Sequence, residues 1–161
     1  MLLICDFSYV LLFPRHHETG TSLTVLHESD PQKTATSFSQ LFYFNDELLQ
    51  EISLLLALSA ISKAAIFTAG RTVFAPVAAE KMQAIFSDIF TPEMLGIRKN
   101  DPRAYQELAN RLHCNTKEII YIDDSQKNTT AAIEAGCIAH TFIDTKTAIT
   151  FLRQKLLPPT T

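Results

Sequence analysis

The run Tyr121-Ile122-Asp123-Asp124-Ser125-Gln126-Lys127-Asn128 is apolar up to two adjacent carboxylates and then opens into a predicted helix. Open α/β sheets place their active sites at the carboxyl ends of strands, so this pattern concentrates negative charge where chemistry is done. A second apolar run, Leu2-Leu3-Ile4-Cys5, ends in another acid, Asp6. Two separate segments would thus deliver carboxylates to one crevice, and an oxygen-rich crevice suits Mg²⁺. Taken alone, Asp123-Asp124 also fits an ordinary solvated helix start, where acids are favoured.

Positioning those acids requires strands that stop at them and helices that cover the sheet. Met1 to Cys5 is predicted as a buried strand, apolar on both faces as parallel strands are. Val10 to Phe13 and Ser22 to His27 flank a polar stretch and predict a projecting hairpin, while Ser37 to Phe44 is ambiguous between helix and strand. Asn45 caps a predicted helix to about Ser62, and Ala64-Ala65-Ile66-Phe67 is the next strand, ended by Thr68-Ala69-Gly70. Helices follow at Pro76 to Phe86 and, from the Asp101-Pro102 start, to about Leu112. Ile89-Phe90 is a short strand before a Thr91-Pro92 turn. Glu118 to Ile122 and Ile138 to Ile143 are strands, with a helix from Gln126 to Ala135 between them, closed by Gly136, and a last helix from Lys146 to Leu156. This alternation predicts an α/β fold: a three-layer, doubly wound parallel sheet of Rossmann-like type.

The bulk numbers bound the rest. A chain of 161 residues with 47% hydrophobic content fits one domain. The net charge of -3 gives no basic excess for nucleic acid. Three cysteines without CxxC spacing point to a reduced, cytoplasmic setting. The apolar start lacks a basic region and is interrupted by Asp6, which argues against a secretory leader, and no apolar run suggests a membrane span. His16-His17 sits in the polar turn and reads as a solvated pair.

Four elements, in order and each at a strand end or in the loop after it, resemble the signature of the haloacid dehalogenase-like hydrolase superfamily. Asp6 in Ile4-Cys5-Asp6-Phe7-Ser8-Tyr9 resembles the nucleophile motif, and Thr68 in Ile66-Phe67-Thr68-Ala69-Gly70 the phosphate-binding motif. Lys99 in Lys99-Asn100-Asp101-Pro102 resembles the lysine motif, and Ile122-Asp123-Asp124-Ser125 the acidic motif, continued by Asn128, Ala131, Ala132 and Gly136. The last is the most specific of the four.

The resemblance implies a phosphatase-type member in which Asp6 attacks phosphorus to form an aspartyl-phosphate that water hydrolyses. It implies Mg²⁺ held by Asp6, the Ser8 backbone carbonyl and Asp123 or Asp124, with Asp123 favoured as the direct ligand. The Thr68 hydroxyl and Ala69 amide would hold the phosphoryl group, and Lys99 would offset its charge. The expected partner is a phosphorylated substrate.

Two positions depart from the superfamily pattern. Ser8 stands where phosphatases carry a second aspartate as general acid and base, and Tyr9-Val10 replaces a glycine-containing turn. A noncatalytic, regulatory binding protein is therefore the alternative reading. Only 12–44 remains between the first two motifs for an insertion, enough for a short flap or minimal cap and not for a helical bundle. Such an open site would take a bulky substrate, or be covered by a neighbouring subunit in a homo-oligomer.

Overall fold

The computed structural model describes residues 1–15 and 35–158. Five parallel strands form the main sheet: β1 (Leu2–Cys5), β4 (Lys63–Phe67), β5 (Asp88–Phe90), β6 (Ile119–Asp123) and β7 (Ile138–Thr141), in the order β5-β4-β1-β6-β7. The first strand lies in the middle, and the chain builds outward on one side before crossing to the other. Its neighbours β4 and β6 therefore leave a crevice beyond its carboxyl end, where the direction of winding reverses.

The two-residue period of a strand explains why β1 is apolar throughout. Leu3 and Cys5 pack into a core with α2 (Asp46–Ala57), α3 (Pro76–Gln83) and α7 (Thr145–Leu156), while Leu2 and Ile4 pack into a second core with α5 (Pro102–Arg111) and α6 (Gln126–Glu134). Both faces are covered, as the doubly wound reading requires. Truncating a side chain such as Ile4, which is fully buried, would cost about 2–5 kcal/mol.

Between β1 and α2 the chain leaves the sheet. β2 (Leu12–Pro14) pairs antiparallel with β3 (Phe42–Phe44), reached through α1 (Ala35–Leu41). The ambiguous segment is thus a helix followed by a strand, and the strand partner of Leu12–Pro14 is Phe42–Phe44. Ser22 to His27, His16, His17 and the intervening turn lie outside the described residues.

Asn45 ties this stem to the core. Its Oδ1 accepts the Leu48 amide at 3.3 Å and caps α2, while its Nδ2 donates to the Val10 carbonyl and the Thr145 hydroxyl, each at 3.0 Å. Replacing such a cap with alanine costs about 1 kcal/mol.

Some boundaries differ from expectation. The α2 helix ends at Ala57, not near Ser62, because Ser59 turns left-handed at φ 55° and the Ala60 amide reaches back to the Leu55 carbonyl at 2.9 Å. Thr91-Pro92 is no simple turn: Thr91 caps α4 (Pro92–Leu95) through the Met94 amide. No helix among the described residues is long and apolar enough to cross a membrane.

The turn after β1 keeps its tight geometry without glycine. The Leu11 and Leu12 amides both reach the Phe7 carbonyl, at 2.9 and 3.0 Å, and the Tyr9 amide reaches the Leu12 carbonyl at 2.8 Å. Tyr9 itself adopts φ 59°, the left-handed region, at a cost of roughly 1–2 kcal/mol for a residue with a Cβ.

Candidate active site

Register alone brings the two acidic segments together. Cys5 stands opposite Ile122 across β1 and β6, and the Asp6 amide continues the ladder to the Ile122 carbonyl at 2.8 Å. Asp6 therefore follows β1 at the level where Asp123 ends β6. On the other side Cys5 stands opposite Ile66, so Thr68 emerges from β4 at the same end of the sheet.

Lys99, in the turn before α5, is buried and bridges the two strands: its Nζ lies 3.0 Å from Asp6 Oδ2 and 2.6 Å from Asp123 Oδ2. Tyr105, one turn into α5, fixes this loop, its hydroxyl lying 2.8 Å from the Lys99 carbonyl and 2.9 Å from that of Asn128. The ammonium also sits over the Phe67 ring, 5.5 Å from its centre.

Asp123 is fully buried and heavily engaged. Its Oδ1 accepts the Ser125 amide at 2.8 Å and Asn128 Nδ2 at 3.0 Å, and its Oδ2 accepts the Tyr121 hydroxyl as well as Lys99. Asp6 Oδ1 accepts the Phe7 amide at 2.7 Å. Asp124, by contrast, is exposed.

Oxygen atoms of Asp6, Asp123 and Asp124 all lie within 4.8 Å of one another. Three carboxylates thus face one ammonium, an imbalance visible in their acidities. Burial pushes the Asp6 carboxyl up to about 6, with Lys99 opposing the rise and Asp123 adding to it. Asp124 is also raised, first by desolvation and then by the Asp123 charge. This all-oxygen, electron-rich donor set fits a hard divalent cation, whose charge would relieve the imbalance.

The other expected residues sit nearby in sequence and sheet order. Thr68 is buried, donates its amide to the Phe90 carbonyl at 3.0 Å and accepts the Gly70 amide on its hydroxyl at 3.2 Å. Ala69 is exposed beside it. Ser8 is half-buried in the turn after Asp6 and forms an isolated bridge with Leu12.

Tyr105 and Tyr121 are contributors that motif reading passes over. Their rings meet edge to face with centroids 4.9 Å apart, beneath the acids. A tyrosine two residues before the acid that ends an apolar strand was the available signal, since a buried phenol needs a partner.

A family model for haloacid dehalogenase-like hydrolases matches residues 26–136, which include Thr68, Lys99, Asp123 and Asp124, whereas Asp6 and Ser8 precede the match. No curated protein matches the chain. Among solved structures, an uncharacterized protein from Corynebacterium glutamicum superposes with a TM-score of 0.61 at 16% identity, covering 96% of this chain and 93% of its own. A HAD family enzyme from Bacteroides thetaiotaomicron, crystallised in complex with magnesium and inorganic phosphate, gives 0.60 at 12% identity, with 91% and 98% covered. A HAD-superfamily hydrolase of subfamily IA from Geobacter sulfurreducens gives 0.58 at 12% identity, with 86% and 84% covered. At these identities the likeness is one of fold.

Proposed function

The chain belongs to the haloacid dehalogenase-like hydrolases, and from that premise we propose that it hydrolyses phosphomonoesters with Mg²⁺ through a covalent aspartyl-phosphate on Asp6. The observation that carries this reading is the Lys99 bridge, which sets an ammonium between Asp6 and Asp123 beside an excess of carboxylate. A carboxylate meeting a phosphoryl group must overcome repulsion between like charges, and Lys99 offsets it from within hydrogen-bond reach of Asp6.

Asp6, Asp124 and the Ser8 carbonyl would hold the cation, with Asp123 completing the acidic wall. Because Asp123 already receives a lysine, a tyrosine, an asparagine and a backbone amide, the exposed Asp124 is the freer of the two to meet a metal. The cation, when bound, supplies charge neutralisation at the phosphoryl oxygens.

Asp6 would form the new bond to phosphorus, the ester oxygen would depart with its electron pair, and water would then release phosphate and restore the carboxylate. The Thr68 hydroxyl and Ala69 amide, at the end of β4, would cradle the phosphoryl group. The same reading treats residues 1–161 as one core domain with a short flap over 12–44, and the partner as a phosphorylated substrate. Phosphate release from a phosphomonoester panel, with and without Mg²⁺, tests it. Wild-type activity must exceed that of Asp6→Asn, and equal rates reject the reading.

Ser8 favours a second reading, a regulatory binder without turnover, because a hydroxyl does not replace a carboxyl as proton donor and lost acid-base assistance costs about 10²–10⁴-fold. Under the first reading Ser8→Asp raises hydrolysis. No gain, with Mg²⁺ or phosphoester binding still seen by calorimetry, favours the second.

A further inference from the structure

Two features of this chain bear on what leaves the acid cluster. The first is a run of aromatic rings that begins at the nucleophile turn. Tyr9, three residues after Asp6, meets Phe13 edge-on at 6.5 Å, and Phe13 packs on Tyr43 at 5.5 Å and against Phe142 at 6.1 Å. Phe142 is in turn one backbone hydrogen bond from the acid wall, its amide meeting the Asp123 carbonyl at 2.9 Å. The aromatic run is thereby rooted in the chain at both site acids.

Phe13, Tyr43, Phe142 and Ile143 contribute apolar lining to a cavity of about 400 Å³ where α2 and α7 begin, whose lining also includes Asp46, Glu47 and Asp144. Tyr43 is 45% exposed there and Ile143 78%, and Tyr9, which touches Phe13 without lining the cavity, is 39% exposed. Three Cα–Cα steps of 3.8 Å place Tyr9 within about 11 Å of Asp6. The left-handed backbone at Tyr9 is a strained way to hold a ring there, and strain of this kind gathers at ligand sites.

The second feature is Ser8. A hydrolase without a carboxyl to protonate the departing oxygen is suited to a leaving group that departs as a stable anion. A phenol, ordinarily ionising near 10, is such a group, whereas an aliphatic alcohol is not.

Ring recognition and leaving-group chemistry converge, and we propose that the substrates are aryl phosphomonoesters, with the aromatic ring seated against Tyr9, Phe13 and Tyr43 beside the acid cluster. The inference rests on the phosphomonoesterase reading above. In the step it describes, the Asp6 oxygen–phosphorus bond forms as the phosphorus–aryl oxygen bond breaks. The phenolate leaves with the electron pair and takes its proton from bulk water, and a second water then releases inorganic phosphate from Asp6.

Binding is measured by calorimetry in Mg²⁺ with methylphosphonate, cyclohexylmethylphosphonate and 1-naphthylmethylphosphonate, which carry no ester bond to hydrolyse. The expected order has the naphthyl compound bound about tenfold tighter than methyl and clearly tighter than cyclohexyl. Tyr9→Gly weakens naphthyl binding about threefold to tenfold, the effect of one lost aromatic contact. It does so while holding or raising Tm, since glycine adopts the left-handed turn freely. Ile143→Ser, at a site too exposed to disturb folding, weakens the same ligand to a lesser degree.

If none of the phosphonates binds, the phosphoryl-site reading fails and takes this one with it. If all three bind equally, that reading stands and the aryl proposal falls. A Tyr9→Gly protein that melts lower and binds as wild type reduces Tyr9 to packing and also rejects the proposal. Turnover adds a separate arm, because phenyl and benzyl phosphates share a ring but not a leaving group. Wild type favours phenyl, and Ser8→Asp narrows the gap by raising benzyl turnover more. Equal phenyl and benzyl rates in wild type overturn the leaving-group argument.

Discussion

Asp6 and Glu51 are both buried carboxylates facing a basic side chain, yet they are set up in opposite ways. Glu51 on α2 meets Arg153 on α7 as a closed pair, Nε to Oε1 at 2.8 Å and Nη2 to Oε2 at 2.6 Å, one cation for one anion with both oxygens satisfied. Asp6 shares a single ammonium with Asp123, while Asp124 adds a third carboxylate within reach. The balanced pair fastens two helices. On the proposed reading the unbalanced cluster keeps negative charge in reserve for a cation, a difference from the structural pair that burial alone does not reveal.

Activity separates the two carboxylates most widely. Asp6→Asn should lower phosphate release by roughly 10³-fold or more, whereas Arg153→Ala should leave the rate per folded molecule unchanged, both read by a phosphate-release assay.

Metal binding separates them next. Mg²⁺ at a hundred times its Kd should stabilise the wild type by about 2.7 kcal/mol in thermal melts, and Asp124→Asn should largely remove that response. In metal-free buffer the Asp6 carboxyl, raised from its ordinary 3.8 to about 6, binds its proton more tightly folded than unfolded. Its contribution is complete below about pH 4 and lost as pH rises through about 6. Denaturation midpoints measured from pH 4 to 7 without metal should decline over that window, and added Mg²⁺ should flatten the decline. A midpoint that rises across the window instead contradicts the charge imbalance.

Stability tests the other half. Arg153→Ala strands a buried glutamate, but its own side chain is 55% exposed, so water screens part of the loss. The expected cost is about 2 kcal/mol in urea titration, below that of a fully enclosed pair. The smallest effect is Tyr121→Phe, which removes one donor from Asp123 and should cost about 1 kcal/mol.

The sheet and the motif residues at its strand ends, Asp6, Thr68 and Asp123, were legible because their signals are local: an apolar run, an abrupt acid, a proline-started helix. Lys99 could be placed by motif, but its contact with both acids depends on Tyr105 anchoring its loop from another element. The partner of Leu12–Pro14 was not legible, since Phe42–Phe44 lies far along the chain and no short-range pattern encodes antiparallel pairing at that distance. Nor was the Tyr9 turn, where the backbone accepts a conformation the side chain disfavours because hydrogen bonds at Phe7 and Leu12 leave no alternative. The two tyrosines under the acids were hidden by their apolar surroundings, and only the three-dimensional accounting of donors gives them a role.

Asn45 has a practical implication for engineering. By gripping Val10, Leu48 and Thr145 at once, it welds the root of the projecting ribbon to two helices, and the Pro14–Phe42 rung closes the ribbon just above it. An engineer would leave Asn45 alone, because a single change there would loosen the ribbon and both helices together.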